Sequence, residues 1–390
     1  MMSLQFGIDV LLNSTPIWKN KSIALLTNDA ATTSLGEKSR KALLDHGFNI
    51  VKLFSPEHGI YTKGADGAKI DNEIDVLTGL PVVSLYGEKF SPTELELENI
   101  DVLLFDIPDV GVRFYTYLWS MTYWLEAAAK FNKQVVLLDR PNPLGGQLTM
   151  TEGPMMDSRS TSFIGRFSIP LKHQCTLGEL ALYFNSKENI HAKLEVIACN
   201  NWNRDKLFYD WNKPWVATSP ALQNIEACIL YPGLCLFEAT NVSVGRGSNL
   251  SFEWIGANWF NLPAITMIWQ NSLSEDIKIE PIALSIKEEG VATEISGMRL
   301  KVIDPYHFNA VFNGLLLLKM IKDLHPKDFK WKPYPTNANP TGENHLSLLL
   351  GIENAESLFD LPLKDWLTHI VQSLKVTHWE NEMKPFLLYQ

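Results

Sequence analysis

The chain has 390 residues, which is more than one ordinary hydrophobic core holds and is suited to two domains. Hydrophobic residues make up 46% and charged residues 20%, so the composition is that of a globular protein rather than a disordered one. The net charge of −10 argues against nucleic acid and anionic membranes as general partners, because both bind basic surfaces.

The N-terminal segment MMSLQFGIDVLLNSTPIW has no basic region and carries Asp9 among its apolar residues, so it does not read as a signal peptide. No stretch of the sequence reaches the roughly 18 apolar residues that a membrane-spanning helix needs. The four cysteines form no CxxC pair, and we expect them to be reduced and buried. We therefore expect a cytoplasmic protein, or a periplasmic or secreted one if a signal peptide has been removed.

Short apolar runs alternate with amphipathic stretches through the first two thirds of the chain. The runs that predict buried strands are Ser22–Thr27, Asn49–Phe54, Pro81–Tyr86, Asp101–Ile107, Gln134–Asp139, Lys193–Cys199 and Ala227–Tyr231. The stretches that predict helices are Glu37–His46, Tyr117–Phe131 and Thr176–Phe184, the last with a capping box of Thr176 and Glu179. This alternation predicts an α/β fold with a Rossmann-like, doubly wound parallel sheet covered on both faces.

The pattern changes after about residue 265. Gly297–Ile303 predicts a strand and Phe308–Leu324 a long helix, whereas Lys327–Glu343 predicts a loop and Ala355–Leu374 a further helical region. We therefore predict a Rossmann-like catalytic domain over residues 1–265 and a smaller C-terminal α/β domain over residues 266–390 that closes the cleft.

Unusual polar residues follow several of the predicted strands, at the edge where wound α/β sheets bind ligands. Glu57 and His58 follow the second strand, and a buried Glu in such a cleft can serve as a general acid near neutral pH. The alternative for Glu57 is a helix cap or a loop hydrogen bond. The spacing of Glu57 and His58 matches no known metal motif.

Asp106 and Asp109 stand three residues apart across the end of a predicted strand and allow several roles. They could bind a metal, orient a base or bind sugar hydroxyls, or Asp106 could cap the next helix or pair with Arg113. Arg113 beside Tyr115 could hold a carboxylate through a bidentate fork. Asp139 and Arg140 could form an internal ion pair.

Later segments add weaker signals. The turn Gly245–Gly247 invites a phosphate interpretation, but no GxGxxG or GxxxxGK[ST] motif accompanies it, so a nucleotide cofactor is unsupported. Glu238 and Asn241 belong to a polar EATN patch that could line a pocket. His173 could bind substrate or be a satisfied loop histidine. The sequence contains no GxSxG elbow, which argues against a lipase-type serine hydrolase.

A series of motifs occurs in an order that resembles one known family. The motifs are SPEHG (55–59), SLYG (84–87), DIPDVGVRFYTY (106–117), LDRPNP (138–143), EGP (152–154), TLGELA (176–181), NWNR (201–204) and EATNVSVGRGS (238–248). The chain resembles the DUF1343 or NamZ exo-β-N-acetylmuramidases of glycoside hydrolase family 171 over nearly its whole length. The series is far more specific than any single motif.

The resemblance implies an enzyme that releases terminal N-acetylmuramic acid (MurNAc) from the non-reducing ends of peptidoglycan fragments such as MurNAc-GlcNAc. It implies a peptidoglycan-derived saccharide as partner, no cofactor and no metal, and an active site in the cleft between two domains. Glu57 would be the catalytic carboxylate, and we rank Glu238 first as the second carboxylate, ahead of Asp106, Asp109 and Asp66. The remaining residues expected to line the site are His58, Asp106, Asp109, Arg113, Tyr115, His173, Asn241 and Arg246.

MurNAc carries a lactyl carboxylate, for which Arg113 and Arg246 are the candidate partners, followed by His173. The chain departs from the usual family pattern at Pro108, Gln174, Cys175, Ala221 and Ala239, whereas SPEHG is intact. Two other classes of function stay open at this point. One is a metal-dependent hydrolase or isomerase of a phosphorylated sugar or nucleotide, and the other is a muropeptide-binding protein without catalysis.

Overall fold

A computed structural model describes residues 3–272, 274–288 and 291–390. The first two residues of the N-terminal segment interpreted above lie outside these ranges. The strands are β1 (Ile23–Thr27), β2 (Ile50–Ser55), β3 (Glu73–Ile74), β4 (Pro81–Ser84), β5 (Val102–Asp106), β6 (Gln134–Leu138), β7 (Glu152–Met155), β8 (Pro170–Lys172), β9 (Lys193–Ile197), β10 (Trp254–Gly256), β11 (Ile277–Pro281), β12 (Leu284–Glu288), β13 (Val291–Ile295) and β14 (Gly297–Val302). The α-helices are α1 (Gly7–Leu12), α2 (Ser39–Asp45), α3 (Tyr117–Lys130), α4 (Leu177–Lys187), α5 (Ile225–Leu234), α6 (Leu262–Ser272), α7 (Ala310–Leu324), α8 (His345–Leu350), α9 (Ala355–Leu358), α10 (Leu363–Leu374) and α11 (Trp379–Met383).

The main sheet has the strand order β3-β4-β2-β1-β5-β6-β9 among the described residues. All neighbouring pairs are parallel except β3 with β4 at one edge. The chain starts in the middle at β1, builds one half of the sheet and then returns to build the other half from β5. This arrangement confirms the predicted wound, Rossmann-like sheet.

Each face of the sheet is covered by its own group of apolar side chains. Ala24 and Leu26 of β1 belong to a core shared with α3, α4 and the C-terminal part of the chain. Ile23 and Leu25 point to the opposite face, where α1 and α2 complete a second core. Because both faces are buried, these strands consist of continuous apolar runs rather than alternating ones.

The predicted capping box at α4 is present. The Thr176 hydroxyl accepts a hydrogen bond from the Glu179 backbone N–H at 3.2 Å, and the Glu179 carboxylate accepts one from the Thr176 N–H at 3.1 Å. The predicted strand at Ala227–Tyr231 is wrong, because this segment lies inside helix α5. All residues of α5 except Glu226 are buried, so the helix is apolar on every side and its sequence lacks a helical period.

Helices α5 and α7 cross at a contact between two glycines. A Cβ atom on Gly314 would lie 2.4 Å from the Gly233 Cα, and one on Gly233 would lie 2.2 Å from the Ala310 carbonyl oxygen. Both distances are far below any real van der Waals contact, so only glycine allows the two backbones to meet here. Helix α5 leads directly into the 3₁₀-helix Cys235–Ala239.

The C-terminal part has a three-stranded antiparallel sheet of order β10-β14-β11 and the hairpin β12-β13. Strand β10 precedes the predicted domain boundary at residue 265 but pairs with β14 beyond it. The division into residues 1–265 and 266–390 stays a prediction. Among the described residues, no helix combines the length and the apolar character needed to cross a membrane.

Candidate active site

A cavity of about 630 Å³, counting its part open to solvent, lies beside the loops that follow β2, β4 and β5. The C-terminal part of the chain closes its other side through Tyr334, Thr336 and the start of α8. The titratable side chains that line it are Glu57, His58, Asp66, Tyr86, Tyr115, Tyr231, Cys235, Glu238, Arg246, Tyr334 and His345. The cavity therefore brings residues distant in sequence to one end of the sheet.

Glu57 lies on the tight turn after β2 and is almost completely buried. The turn reverses through His58 (φ 65°) and Gly59 (φ 72°), and the His58 Nδ1 is 2.8 Å from the Gly64 carbonyl oxygen. The Glu57 carboxylate accepts hydrogen bonds from the Thr116 hydroxyl at 2.6 Å and from the Gly67 N–H at 2.8 Å. Its position is fixed from two sides.

Burial raises the pKa of Glu57, and the nearby Asp66 carboxylate raises it further. His58, Thr116 and Gly67 act in the opposite direction but do not cancel the effect. The Glu57 carboxylate and burial also raise the pKa of the adjacent Tyr86 hydroxyl, which stays neutral. Glu57 is thus a carboxyl group that keeps its proton at a higher pH than an exposed glutamate does.

Asp66 follows Glu57 in the same loop and differs from it in ionisation. Partial burial would raise its pKa, but the Arg246 guanidinium, His58 and the Tyr334 hydroxyl together lower it. Arg246 Nη2 lies 3.5 Å from Asp66 Oδ1, and the Tyr334 hydroxyl donates to Oδ2 at 2.8 Å. The Asp66 side chain keeps about 30% of its surface exposed toward the cavity mouth.

Glu238 lies in the 3₁₀-helix that follows α5, and Arg246 holds its carboxylate in place. The Arg246 Nε donates to Glu238 Oε1, and the same guanidinium lies 5.0 Å above the ring of Phe252. Burial raises the pKa of Glu238, although Arg246 opposes that shift. Arg246 therefore bridges two carboxylates, and it is the one Arg or Lys lining the cavity within the described part of the chain.

His345 begins α8 and stacks on Tyr334, with ring centroids 4.6 Å apart and an interplanar angle of 19°. Burial lowers the pKa of His345 to about 4, so the ring is neutral at physiological pH. Its Nε2 is buried and has no hydrogen-bond partner among the described residues. A neutral imidazole at the cavity wall offers a substrate one uncommitted hydrogen-bonding atom.

Two carboxyl groups with opposite pKa shifts suit acid–base chemistry on a glycosidic bond. Glu57 can donate a proton to a leaving oxygen, whereas ionised Asp66 can stabilise or attack an electron-poor carbon. One oxygen of each, together with one ring nitrogen of His58, lie within 4.8 Å of one another. Glycosidases that retain the anomeric configuration have carboxyl groups about 5–5.5 Å apart, and inverting ones about 6.5–9.5 Å.

The same three groups could hold a cation, since they offer two carboxylate oxygens and one imidazole nitrogen. Two features oppose this role. Both Glu57 oxygens already accept hydrogen bonds, one from the Thr116 hydroxyl and one from the Gly67 N–H. A raised pKa at Glu57 also favours its protonated form, which does not bind metals.

Of the candidate site residues named from the sequence, six line this cavity: Glu57, His58, Asp66, Tyr115, Glu238 and Arg246. The Tyr115 hydroxyl donates to the Thr218 hydroxyl at 2.7 Å, which ties the cavity wall to residues 218–222. Ala221, one of the departures from the family pattern, also lines the cavity.

Asp106 does not line this cavity. Its carboxylate, fully buried at the end of β5, accepts hydrogen bonds from Arg140 Nε at 2.6 Å and Nη2 at 3.0 Å. Arg140 also donates to the Thr32 carbonyl oxygen at 2.8 Å. One guanidinium occupies both Asp106 oxygens, so the partner of Asp106 is neither a metal, nor Arg113, nor a helix terminus. Arg140 pairs with Asp106 and not, as the sequence had suggested, with the neighbouring Asp139.

Asp109 and His173 form a buried pair elsewhere at the same sheet edge. Asp109 Oδ2 accepts the Gly111 N–H at 2.9 Å and lies 3.3 Å from His173 Nε2. His173 Nδ1 accepts the Cys175 N–H at 3.2 Å, and His173 is completely buried. His173 therefore has a structural position and does not reach the catalytic cavity.

Arg113 is likewise enclosed by protein and cannot hold a lactyl carboxylate. Its guanidinium donates to the carbonyl oxygens of Pro154 at 2.7 Å, Ile169 at 2.8 Å and Leu349 at 3.0 Å. Complete burial lowers its pKa to about 9. The expected contact with substrate is wrong for Arg113, because its donors connect three backbone segments.

Asn241 also connects backbone rather than lining the cavity. Its Nδ2 donates to the Asp328 carbonyl oxygen at 2.9 Å, and its Oδ1 accepts the Lys330 N–H at 2.9 Å. These bonds hold the start of the predicted loop 327–343 against the EATN patch. The loop then delivers Tyr334 to the cavity.

Tyr334 and His345 were not predicted from the sequence, and Asp66 was placed behind Glu238 among the candidates for the second carboxylate. Tyr334 lies in a segment interpreted only as a loop, and His345 follows that segment. A signal for Tyr86 existed, because it belongs to the SLYG motif at a strand end. No local pattern marks His345, whose relevance depends on long-range packing.

Comparison with known proteins gives consistent matches over both halves of the chain. Residues 23–226 match the family described as exo-β-N-acetylmuramidase NamZ, N-terminal, and residues 229–389 match the corresponding C-terminal family. The chain is 38% identical over 333 residues to the peptidoglycan β-N-acetylmuramidase NamZ of Bacillus subtilis (strain 168), covering 84% of this chain and 80% of that protein.

Two crystal structures of DUF1343 family proteins from Bacteroides fragilis NCTC 9343 have a similar fold. One is 25% identical with a TM-score of 0.87, and the match covers 100% of both chains. The other is 27% identical with a TM-score of 0.73, and the match covers 100% of this chain and 99% of the other.

Proposed function

The chain belongs to the NamZ family of exo-β-N-acetylmuramidases, and we propose that it releases terminal MurNAc from the non-reducing ends of peptidoglycan fragments such as MurNAc-GlcNAc. It is a glycoside hydrolase, and its saccharide substrate derives from peptidoglycan. The observation that carries the residue assignments is the pair of cavity carboxyl groups, Glu57 and Asp66, with opposite pKa shifts.

In this proposal Glu57 is the general acid. It protonates the oxygen that leaves with the GlcNAc unit, and its raised pKa keeps that proton available. The bonds from Thr116 and Gly67 fix the carboxyl group in position before substrate arrives. After the bond breaks, the Glu57 carboxylate can remove a proton from the incoming water.

Asp66 takes the role of the second carboxylate, for which Glu238 was the first candidate from the sequence. Glu238 forms a close ion pair with Arg246, which reduces its ability to stabilise positive charge elsewhere. Asp66 is ionised, partly exposed and close to Glu57. It attacks the anomeric carbon and forms a glycosyl-enzyme bond as the GlcNAc oxygen leaves, or it orients the substrate's own acetamido group to attack in its place. Water then opens the intermediate, and either double displacement retains the configuration.

Arg246 is our candidate partner for the lactyl carboxylate of MurNAc. Its guanidinium is shared by Glu238 and Asp66, so the substrate carboxylate would compete with them for its donors. The neutral Nε2 of His345 can supply a further hydrogen bond to the substrate.

The decisive experiment compares wild type and Glu57→Gln on para-nitrophenyl MurNAc and on MurNAc-GlcNAc, with and without EDTA. We expect turnover by wild type that EDTA does not change, and a loss of about 10²–10⁴-fold in a folded Glu57→Gln variant. Activity abolished by EDTA and restored by a divalent ion would instead favour a metal held by Glu57, His58 and Asp66. Tight binding of MurNAc-GlcNAc without turnover would favour a binding protein.

We further propose a cytoplasmic location, in which the enzyme acts on imported fragments. The four cysteines are free and buried, which suits a reducing compartment. Fractionation of cells that produce the protein, followed by detection with an antibody, tests this location.

A further inference from the structure

A second cavity lies where the strand order of the main sheet reverses. It encloses about 620 Å³, counting its part open to solvent, beside the loops that follow β1, β5 and β6. Wound α/β sheets generally bind ligands at this switch point, between the loops after the two central strands. The candidate active site lies nearer to the ends of β2 and β4, and its lining shares no residue with this second cavity.

The two cavities are separated by a wall formed in part by residues 216–222. Thr218 lines the second cavity, whereas Ser219 and Ala221 line the first. Tyr115, from the first cavity, donates to the Thr218 hydroxyl across this wall at 2.7 Å. The two sites are therefore adjacent but have different linings.

One wall of the second cavity is aromatic. Phe208 packs against Trp211 and Trp215 with ring centroids 5.0 and 5.1 Å apart, and Phe6 meets Trp211 at 6.3 Å. Trp211 and Trp215 are only half-buried. The Trp211 Nε1 is buried and has no hydrogen-bond partner among the described residues. Flat apolar rings with polar edges suit the C–H face of a pyranose.

Asp109 carries the one carboxylate among the described residues that line this cavity. Its side chain is 6% exposed, and Oδ2 accepts a hydrogen bond from the Gly111 N–H and lies 3.3 Å from His173 Nε2. The other oxygen, Oδ1, is buried and has no partner in the described part of the chain. A buried carboxylate oxygen without a donor costs free energy unless a ligand hydroxyl or N–H supplies one.

The charges at this cavity favour a neutral ligand over an anionic one. The Arg140 guanidinium at the cavity wall is neutralised by its bidentate bonds to Asp106. Asp109 repels a phosphate or a carboxylate, and Lys213 is the remaining cation among the described lining residues. A nucleotide is therefore a poor fit, whereas a sugar with several hydroxyl donors fits both Asp109 and the tryptophans.

We propose that this second cavity is a binding site for a neutral N-acetylhexosamine such as GlcNAc, distinct from the site of hydrolysis. One sugar face stacks on the Trp211 and Trp215 wall, and a hydroxyl or the acetamido N–H donates to Asp109 Oδ1. The lactyl carboxylate disfavours MurNAc there, because it would approach the Asp109 carboxylate. The choice of an aminosugar rests on the proposed function, whereas the cavity itself does not.

The test titrates free GlcNAc into the full-length enzyme labelled with 5-fluorotryptophan and follows the ¹⁹F NMR spectrum. No tryptophan lines the catalytic cavity among the described residues, whereas Trp211 and Trp215 line the second one, so the signals of these two report on it. The variants Trp211→Phe and Trp215→Phe assign the two resonances. We expect both to shift saturably with GlcNAc, while the resonance of half-buried Trp259 stays in place as the control.

Asp109→Asn keeps an oxygen for the Gly111 N–H but turns the free acceptor into a donor. We expect it to weaken GlcNAc binding at least about ten-fold, because a bond to a charged acceptor is lost. Trp215→Phe should leave hydrolysis of para-nitrophenyl MurNAc unchanged. The hydrolysis assay therefore tests the proposed function, and the NMR titration tests the second cavity independently of it. Trp211 and Trp215 resonances that GlcNAc does not move, or that only uridine monophosphate moves, would overturn the proposal.

Discussion

One carboxyl oxygen of Glu57 and one of Asp66 lie within 4.8 Å of each other, and their pKa values are shifted in opposite directions. Burial favours the protonated form of Glu57, whereas Arg246, His58 and Tyr334 favour the ionised form of Asp66. The pair thus spans a range of pH in which one member carries a proton and the other does not.

We expect a bell-shaped dependence of kcat/KM on pH. Activity requires protonated Glu57, so it falls as pH rises through that raised pKa. It also requires ionised Asp66, so it falls as pH drops through that lowered pKa. Steady-state kinetics with para-nitrophenyl MurNAc over a wide pH range measures both limbs. Asp66→Asn should reduce kcat by about 10²–10⁴-fold, and a normal profile in that variant would remove Asp66 from the mechanism.

The first sugar product should keep the β configuration. One oxygen of Glu57 and one of Asp66 lie within 4.8 Å of each other, which matches the short carboxyl separation of retaining enzymes better than the longer one of inverting enzymes. Proton NMR recorded within the first turnovers, before mutarotation, distinguishes β-MurNAc from α-MurNAc. Initial release of α-MurNAc would exclude this pair and return Glu238 to consideration as the second carboxylate.

Arg246→Met should shift the acidic limb of the pH profile to higher pH. The guanidinium is the strongest of the groups that lower the pKa of Asp66, so its loss lets that pKa rise. The matched variant Glu238→Gln leaves Arg246 to Asp66 alone and should not move the limb upward. Inhibition constants of free MurNAc and GlcNAc then test the lactyl contact, since equal losses of both would exclude it.

His345→Phe should raise KM for MurNAc substrates by about ten-fold, because one hydrogen bond to the substrate is lost. The phenyl ring retains the stacking on Tyr334, so kcat and thermal stability should change little. His345→Gln, which restores a donor and an acceptor, serves as the control and should recover part of the affinity. Unchanged KM in the Phe variant would contradict a contact between Nε2 and substrate.

Arg113→Met should destabilise the fold by about 3 kcal/mol or more, because buried carbonyl oxygens of Pro154, Ile169 and Leu349 lose their donors. Chemical denaturation measures this loss, and the control Arg159→Met, at an exposed ion pair, should change stability far less. The folded Arg113 variant should bind MurNAc and GlcNAc with the same relative preference as wild type. A selective loss for MurNAc would restore Arg113 as the lactyl partner.

The sequence predicted the sheet well because its strands are buried on both faces and their apolar runs are unambiguous. The prediction of a strand at Ala227–Tyr231 was wrong, because a helix buried on all sides also shows an apolar run without a helical period. Thr176 and Glu179 were predictable as a capping box because both partners lie within one helical turn.

For the site, the sequence correctly located polar residues at one sheet edge but did not separate their roles. Asp106 ends the same strand that Arg113 and Tyr115 follow. The Asp106 carboxylate is nevertheless occupied by Arg140, and the Arg113 guanidinium by backbone carbonyl oxygens. Which partner a polar side chain meets depends on segments far away in sequence. Tyr334 and His345 could not be predicted as site residues, because only the folded chain places the C-terminal part against the loop after β2.

The contact between Gly233 and Gly314 has a mechanical consequence. Two backbones touch there directly, so no side chain lies between them to change rotamer and absorb a displacement. Helix α5 continues into the segment that carries Glu238, whose partner Arg246 in turn holds Asp66. The glycine crossing therefore places the backbone of α7 in direct contact with the helix that leads to Glu238, and a Cβ atom at either glycine would push the two helices apart at that point.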